Sequence, residues 1–385
     1  MTVIFWTSLA ALLYTYAVYP IAIWLLALIR NRTVAKLNVP KSDEPPSVSV
    51  VLACHNEASR IEARLRNLIQ ANYPKNRIEI IVAVDRSSDQ TEAIARRFES
   101  NNIRVIDCGE RLGKAGALNL GVQAATREIV VFADARQSFE ADAIAELVAN
   151  FADERVGAVS GELFIAADSK SGVSEGAGLY WNYEKWIRKS ESRFDSTIGA
   201  TGALFAIRRS LWRPLPPSTI LDDVYTPMSI ALRGYRIVFE EKARAHDVAA
   251  STPAQEFRRK ARTLMGNYQL CQLEPRLLTP SYRLWIQFCS HKLMRLTTPI
   301  FMLLLLASNA ALLIETSGAA GLYLAFAAAQ VLFYSSVILG SQLSRHDRKI
   351  RVFNTAYLFS VMNAAALVGL FYFIRGKRDV WVRSK

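Results

Sequence analysis

The sequence predicts an α/β domain built on a parallel sheet and set between apolar helices. Three observations predict it. Short β-branched apolar runs alternate with helix-like segments between Pro45 and Ile165. Four charge-free apolar stretches, Val3 to Ile29, Leu296 to Ile314, Thr316 to Leu343 and Val352 to Ile374, flank that region, each near or above the ~20 residues of a spanning helix. Beyond residue 170 the segments lengthen, and the second half is expected to form a different layer.

The first apolar stretch lacks a basic leader and is too long for the core of a cleaved signal peptide, so residues 1–30 read as an anchor. Arg30, Arg32, Lys36 and Lys41 follow it, and the excess of positive charge places what comes next in the cytosol, at a bacterial-type inner membrane. Residues 31–280 then form the soluble domain. Its expected strands are Ser47 to Ala53, Ile78 to Val84, Ile103 to Ile106 and Ile129 to Ala133, with helices Ile61 to Gln70 and Thr91 to Phe98 between them. An aromatic-rich helix, Leu179 to Arg188, and another from Gln255 to Gln272 come later. Residues 281–297 mix Trp285, Phe288 and Leu293 with Arg283, His291, Lys292 and Arg295, the pattern of a helix lying in the membrane interface. Residues 298–374 are the carboxy-terminal membrane region and 375–385 a basic tail.

Four full crossings would leave that tail outside, against the charge rule. Val352 to Ile374, which holds Asn354 and Asn363, is therefore expected to be re-entrant or interfacial.

The net charge of +13 over 385 residues sits largely at membrane ends, in Arg345, Arg348, Lys349 and Arg351 and in the tail. It speaks for lipid headgroups and phosphate-bearing ligands and against nucleic acid. Cys54, Cys108, Cys271 and Cys289 are far apart in sequence and have no metal-ligand spacing.

Ligands of open α/β sheets bind beyond the carboxyl ends of the strands. Polar groups stand at three such ends: Cys54-His55-Asn56-Glu57, Asp85-Arg86-Ser87-Ser88-Asp89 and Asp134-Ala135-Arg136. An acidic pair, Asp222-Asp223, follows a proline-rich loop. Carboxylates converging there can hold a base and ribose, bind a divalent ion or act as a general base. Each also has a structural reading: Asp89 caps the helix near Thr91, and Asp134 ends a strand in a turn.

Taken in order, these motifs with Gly113-Lys114-Ala115-Gly116-Ala117-Leu118-Asn119, Gly199-Ala200-Thr201-Gly202 and Gln255 to Arg262 resemble the family 2 glycosyltransferases of GT-A fold. The membrane-integrated synthases of cellulose, hyaluronan and poly-N-acetylglucosamine are the most similar members. The resemblance implies an inverting transfer from a UDP-sugar to a growing β-linked polysaccharide, with passage of the product through the chain's own helices as a further implication. Asp85 then corresponds to the uracil contact beside Ala53, with Glu57 in the same donor-binding motif. Lys114 corresponds to a donor-phosphate contact, Asp134 to the first acid of the DxD motif and a ligand of Mg²⁺ or Mn²⁺, and Asp223, with Asp222, to the catalytic acids of the TED motif. Arg259 and Arg262 suit the diphosphate, and Gly202 and Trp181 the acceptor.

Two positions depart from the family pattern. Arg136 replaces the second acid of DxD, and two readings stay open: it pairs with the diphosphate, or it points away while another acid or His246 completes a metal site. Thr263 stands where the QxxRW element has its tryptophan, which puts long-chain polymerisation in doubt. The other readings are transfer of one sugar to a polyprenyl phosphate or lipid, and an impaired subunit that binds nucleotide sugar or glycan. An export partner or a homo-oligomer stays open.

Overall fold

The computed structural model describes residues 1–39, 44–166, 173–248, 253–315, 321–345 and 350–376. Lys41, Arg348, Lys349 and the tail beyond Gly376 lie outside the described residues.

Helices α1 (Thr2–Leu13) and α2 (Tyr19–Ile29) run on as one rod, joined by a π-helical turn, Tyr14–Val18. Pro20 explains the turn: it has no N–H to give the Tyr16 carbonyl, and that carbonyl accepts the Tyr183 hydroxyl at 2.9 Å instead.

The soluble part holds strands β1 (Val48–Cys54), β2 (Ile78–Val84), β3 (Ile103–Asp107), β4 (Ile129–Ala133), β5 (Ser138–Phe139), β6 (Val156–Ala166), β7 (Leu204–Arg208) and β8 (Arg236–Val248). They form one sheet in the order β3-β2-β1-β4-β7-β6-β8-β5. β1 to β4 are parallel, and β7 runs antiparallel to β4. The four strands expected from the sequence form within a residue at each end.

The chain beyond residue 170 is not a separate layer, because β7 and β8 extend the same sheet. The strand β8, RIVFEEKARAHDV, carries charges at one residue in two over its second half, so its buried positions Ala243 and Ala245 give little apolar signal.

Both faces of the sheet are covered, which is why its central strands read as unbroken apolar runs. Val48, Val50, Leu52, Ile80 and Val82 pack on one face with α3 (Ile61–Ile69), α4 (Thr91–Arg96) and α6 (Ala143–Ala149). Val51, Ile81, Val130 and Phe132 pack on the other with α5 (Gly113–Ala124), α8 (Asp222–Ala231) and the later part of α9 (Pro253–Leu273). The period of two is thus kept, each residue facing its own helical layer. With β2 on one side of β1 and β4 on the other, the connections reverse direction there and open a crevice beyond the carboxyl ends of these strands.

α7 (Val173–Phe194) joins this domain to the apolar helices. Its Glu191 accepts hydrogen bonds from the Tyr19 hydroxyl (2.6 Å) and pairs with His291 Nδ1 (2.8 Å), while Glu184 meets His291 Nε2 (3.2 Å) and Arg295. Just after α7, Asp195 receives Arg32 at 3.0 Å and Arg283.

These contacts change the reading of residues 281–297. The segment is no separate amphipathic helix: a short helix, α10 (Trp285–Phe288), passes through a π-helical turn, Cys289–Leu293, directly into α11 (Met294–Glu315). Its polar groups Arg283, His291 and Arg295 face protein carboxylates rather than an interface.

Among the described residues four helices are long and apolar enough to cross a membrane: Thr2–Ile29, Trp285–Glu315, Gly321–Ser344 and Arg351–Ile374. α12 (Gly321–Arg345) is the barest, with Val331 66% and Leu332 70% exposed. α13 (Arg351–Ile374) is unbroken over 24 residues, so it contains no re-entrant turn. It packs against α9 and α7 of the soluble part as well as on α12.

Candidate active site

The loops after β1 and β2 are laced together by side chains short enough to satisfy neighbouring backbone. Asn56 Oδ1 accepts the Ser88 N–H at 2.7 Å, Thr91 Oγ1 accepts the Glu57 N–H at 2.7 Å, and Asp89 accepts the N–H groups of Ala58 (3.1 Å) and Thr91 (3.0 Å). Asp89 is not the N-cap of α4, a place held by Gln90; it ties the two loops together, and the Thr91 and Ala58 hydrogen bonds keep its carboxyl below the usual range despite partial burial. Glu57 turns to Arg60 at 3.0 Å. It lies in the rim of the crevice and stabilises its own loop.

Asp85, one residue past β2, is buried, and its Oδ1 accepts the Leu112 N–H at 2.7 Å. This bond fixes the loop that starts α5 against the end of β2. Ala53, half-buried near the end of β1, stands in register with Ala83, so Ala53 and Asp85 lie on adjacent strand ends of the crevice.

From the first turn of α5, Lys114 reaches across to two other elements. Its Nζ lies 3.0 Å from Asp134 Oδ1, just past β4, and 3.3 Å from Asp222 Oδ1, at the start of α8. Burial alone would lower the pKa of Lys114, but Asp134, Asp222 and Asp223 outweigh it and hold the ammonium well above its ordinary value. Arg262, half-buried on α9, has Asp222, Asp223 and Asp134 as charge neighbours. Three carboxylates and two cations thus meet at one end of the sheet.

Asp223 differs from Asp222 in exposure, for Asp222 is buried and Asp223 half-open. Its carboxyl is pushed up to about 6, first by desolvation and then by the charge of Asp222, while Lys114 and Lys292 oppose the rise. Gly202 stands directly against it: a Cβ there would lie 2.7 Å from Asp223 Oδ2. The loop is held in place by the Ala200 N–H, which donates to the Asp223 carbonyl at 2.7 Å, and by Thr201, whose Oγ1 accepts from Arg188 at 2.9 Å. A carboxylate with this pKa and an open flank suits general base chemistry near neutral pH.

Other sequence expectations land elsewhere. Arg136 pairs with the buried carboxylate of Asp247, which also accepts from Gln137 Nε2 at 3.0 Å, so its guanidinium is engaged by the protein. His246 faces Glu140 at 2.9 Å and stacks on Phe164. The indole of Trp181 lies under the Lys260 ammonium, 5.5 Å from the ring centroid. Arg259 lies one turn before Thr263, and its carbonyl accepts the Thr263 hydroxyl at 3.0 Å.

Sequence reasoning passed over Arg188, Asp247 and the role of Lys292. Asp247 follows the charged run of β8, and Lys292 sits in a stretch that reads as interfacial; neither has a local signal that ties it to the crevice.

The residues present bear on a metal directly. Among the described residues no group of three His, Cys, Asp or Glu side chains is close enough to cage an ion. Asp134, with a third of its side chain exposed, offers one carboxylate. This donor set fits a hydrated Mg²⁺ or Mn²⁺ shared with substrate phosphates, a common arrangement for Mg²⁺.

Residues 49–214 match glycosyl transferase family 2. Poly-beta-1,6-N-acetyl-D-glucosamine synthase of Staphylococcus aureus (strain COL) is 29% identical over 236 residues, 59% of this chain and 56% of that protein. A probable glycosyltransferase, YdaM, of Bacillus subtilis (strain 168) is 28% identical over 246 residues, 60% of this chain and 58% of that protein. The chain therefore spans a little over half the length of the curated relatives it matches. Among solved structures, the mannosyltransferase PcManGT from Pyrobaculum calidifontis, in complex with GDP-Man and Mn²⁺, covers 96% of this chain and 99% of its own at a TM-score of 0.72 and 23% identity. The fold is GT-A, and the resemblance seen in the motifs holds for the domain.

The Arg136–Asp247 pair gives a test of what Arg136 is for. Replacing Arg136 by Met removes the guanidinium partner of a buried carboxylate that keeps its Gln137 hydrogen bond, and is expected to cost about 1–3 kcal/mol of stability, read as a lower Tm. An unchanged Tm with loss of nucleotide binding would return Arg136 to the donor.

Proposed function

We propose that this chain, through its family 2 glycosyltransferase domain, is a membrane-bound inverting enzyme that moves a sugar from a UDP-sugar to a hydroxyl of a growing β-linked glycan. The observation that carries the reading is Asp223: a half-open carboxylate of raised pKa, flanked by Gly202 and adjoining the cluster of Lys114, Asp134, Asp222 and Arg262.

The chemistry follows from that arrangement. Asp223 takes the proton of the acceptor hydroxyl as its oxygen bonds to the anomeric carbon. The bond from that carbon to the diphosphate breaks, and the electron pair leaves with the diphosphate. Lys114 and Arg262 offer the positive charge that this leaving group needs. Asp134 would hold a divalent ion, which when bound neutralises further charge on the diphosphate. Asp85 and Ala53 would receive the uracil. A single displacement inverts the anomeric centre.

The second reading, addition of one sugar to a polyprenyl phosphate or other lipid, is favoured by Thr263. Its hydroxyl is turned back to its own helix, so position 263 itself brings no aromatic ring to a passing chain.

The soluble domain belongs in the cytosol under this proposal, with three crossings: Thr2–Ile29 inward, Trp285–Glu315 outward and Gly321–Ser344 inward. The packing of α13 on α9 and α7 supports laying α13 in the inner interface. Arg345, Arg351 and the basic tail then all fall on the cytosolic side, as the charge rule prefers.

Purified protein in nanodiscs, offered a panel of UDP-sugars with and without Mg²⁺ or Mn²⁺, is expected to release UDP from one donor. Asp223→Asn should lower that rate by about 10²–10⁴-fold. A mutant as active as the parent would remove Asp223 as the base.

The raised pKa adds a pH signature. A base is active only when deprotonated, so kcat/KM should be flat above pH ~7 and fall about tenfold per unit once pH drops through about 6. An acid limb near 4 would mean that Asp223 titrates as an ordinary exposed carboxylate.

Topology is tested separately by Ser384→Cys. Labelling only from outside intact cells would overturn the three-crossing arrangement.

A further inference from the structure

The helix that carries Arg262 is pressed between the backbone-to-backbone contact with α13 and the side chains of the turn that precedes the acidic pair. On one side, a Cβ placed on Gly369 of α13 would lie 2.8 Å from the Ala261 carbonyl oxygen and 2.9 Å from the Met265 nitrogen of α9. On the other, a Cβ on Gly266 of α9 would lie 2.6 Å from Leu221 Cγ and 3.0 Å from Ile220 Cγ2, in the turn immediately before Asp222 and Asp223. Real Cβ atoms do not approach so closely, so a side chain at Gly369 would force the two backbones apart, and one at Gly266 would force Leu221 to shift.

The polar groups continue the same clamp. Gln269, one turn after Gly266, accepts the Ile220 N–H through Oε1 at 2.9 Å and donates to the Ser218 carbonyl through Nε2 at 2.9 Å. Tyr268 stacks with Phe373 of α13 at 5.8 Å. Ala261 and Met265 are fully buried. The order of contact is therefore α13, α9 with Arg262, and then the turn that presents the acidic pair.

We infer that α13 is part of the catalytic geometry, and that Gly369 is a positioning residue which, through α9, sets Arg262 and the Asp222–Asp223 turn. The kinetic side of this inference rests on the glycosyl transfer proposed above; its structural side does not. A side chain on Gly369 would meet backbone atoms, which cannot rotate away, so α9 and α13 must part. Displacements of about 1 Å at a catalytic centre can cost about 10²-fold in rate.

Gly340 supplies the control. It makes a still closer glycine-to-backbone contact, with the Phe353 carbonyl, between α12 and the start of α13, away from Gly369 along the helix.

The experiment compares the parent with Gly369→Leu, Gly369→Ala and Gly340→Leu, each in nanodiscs. It reads hydrogen exchange of the amides from 218 to 225 and the kcat and KM for the donor. In Gly369→Leu, exchange across 218–225 is expected to rise and kcat to fall by about tenfold or more, with a higher donor KM from displaced Arg262. Gly369→Ala should move both readouts in the same direction by less, and it decides the matter if the leucine variant does not fold. Gly340→Leu should leave 218–225 and the rate within about threefold of the parent.

Unchanged exchange across 218–225 in both Gly369 variants would overturn the inference. So would equal loosening in Gly340→Leu, since that would mean general damage to the apolar helices. A parent without turnover on any donor would count against the proposed function, while the exchange result would still decide the role of Gly369.

Discussion

Like charges crowd one end of this sheet, and the Lys114 ammonium bridges two of them. Asp134, Asp222 and Asp223 come from the end of one strand and the first turn of one helix. Lys114 bridges Asp134 and Asp222, and without such a cation the repulsion among partly buried carboxylates would favour protonation or separation. The start of α8 helps, because the positive end of a helix favours acidic groups in its first turn. Asp223 escapes the bridge. It is left half-open with a raised pKa.

The same economy of charge governs the junction with the apolar helices. α7 and the residue after it present Glu184, Glu191 and Asp195 toward the segments that enter and leave the apolar region. Arg32, Arg283, His291 and Arg295 answer from those segments. Charges at that position need protein partners, because burial against apolar surface without them is expensive. The result fastens the amino-terminal rod and α11 to one helix of the domain. Cleft and apolar helices are then parts of one packed unit, and the close α13–α9 contact belongs to the same design.

Local signals carried much of this. The parallel strands β1 to β4 were legible because β-branched runs alternate with helices, and the four apolar helices because length and lack of charge suffice to mark them. β8 was not legible, because its charges mask the small buried alanines that hold it in the sheet. The stretch around His291 and Lys292 reads as amphipathic and interfacial from its composition. Composition cannot distinguish a charge that faces lipid headgroups from one that faces a buried glutamate.

The sequence by itself determined the fold class of the domain, the order of its motifs and the residue types gathered at the strand ends, since each depends on periodicity or spacing along the chain. Tertiary structure alone decided which of these groups meet. It put Lys114 between Asp134 and Asp222, turned Arg136 to Asp247, and set Gly202 against Asp223 and Gly369 against α9. Those pairings join elements distant in the chain, and a side chain's partner across a fold depends on packing in three dimensions, which no local pattern of residues encodes.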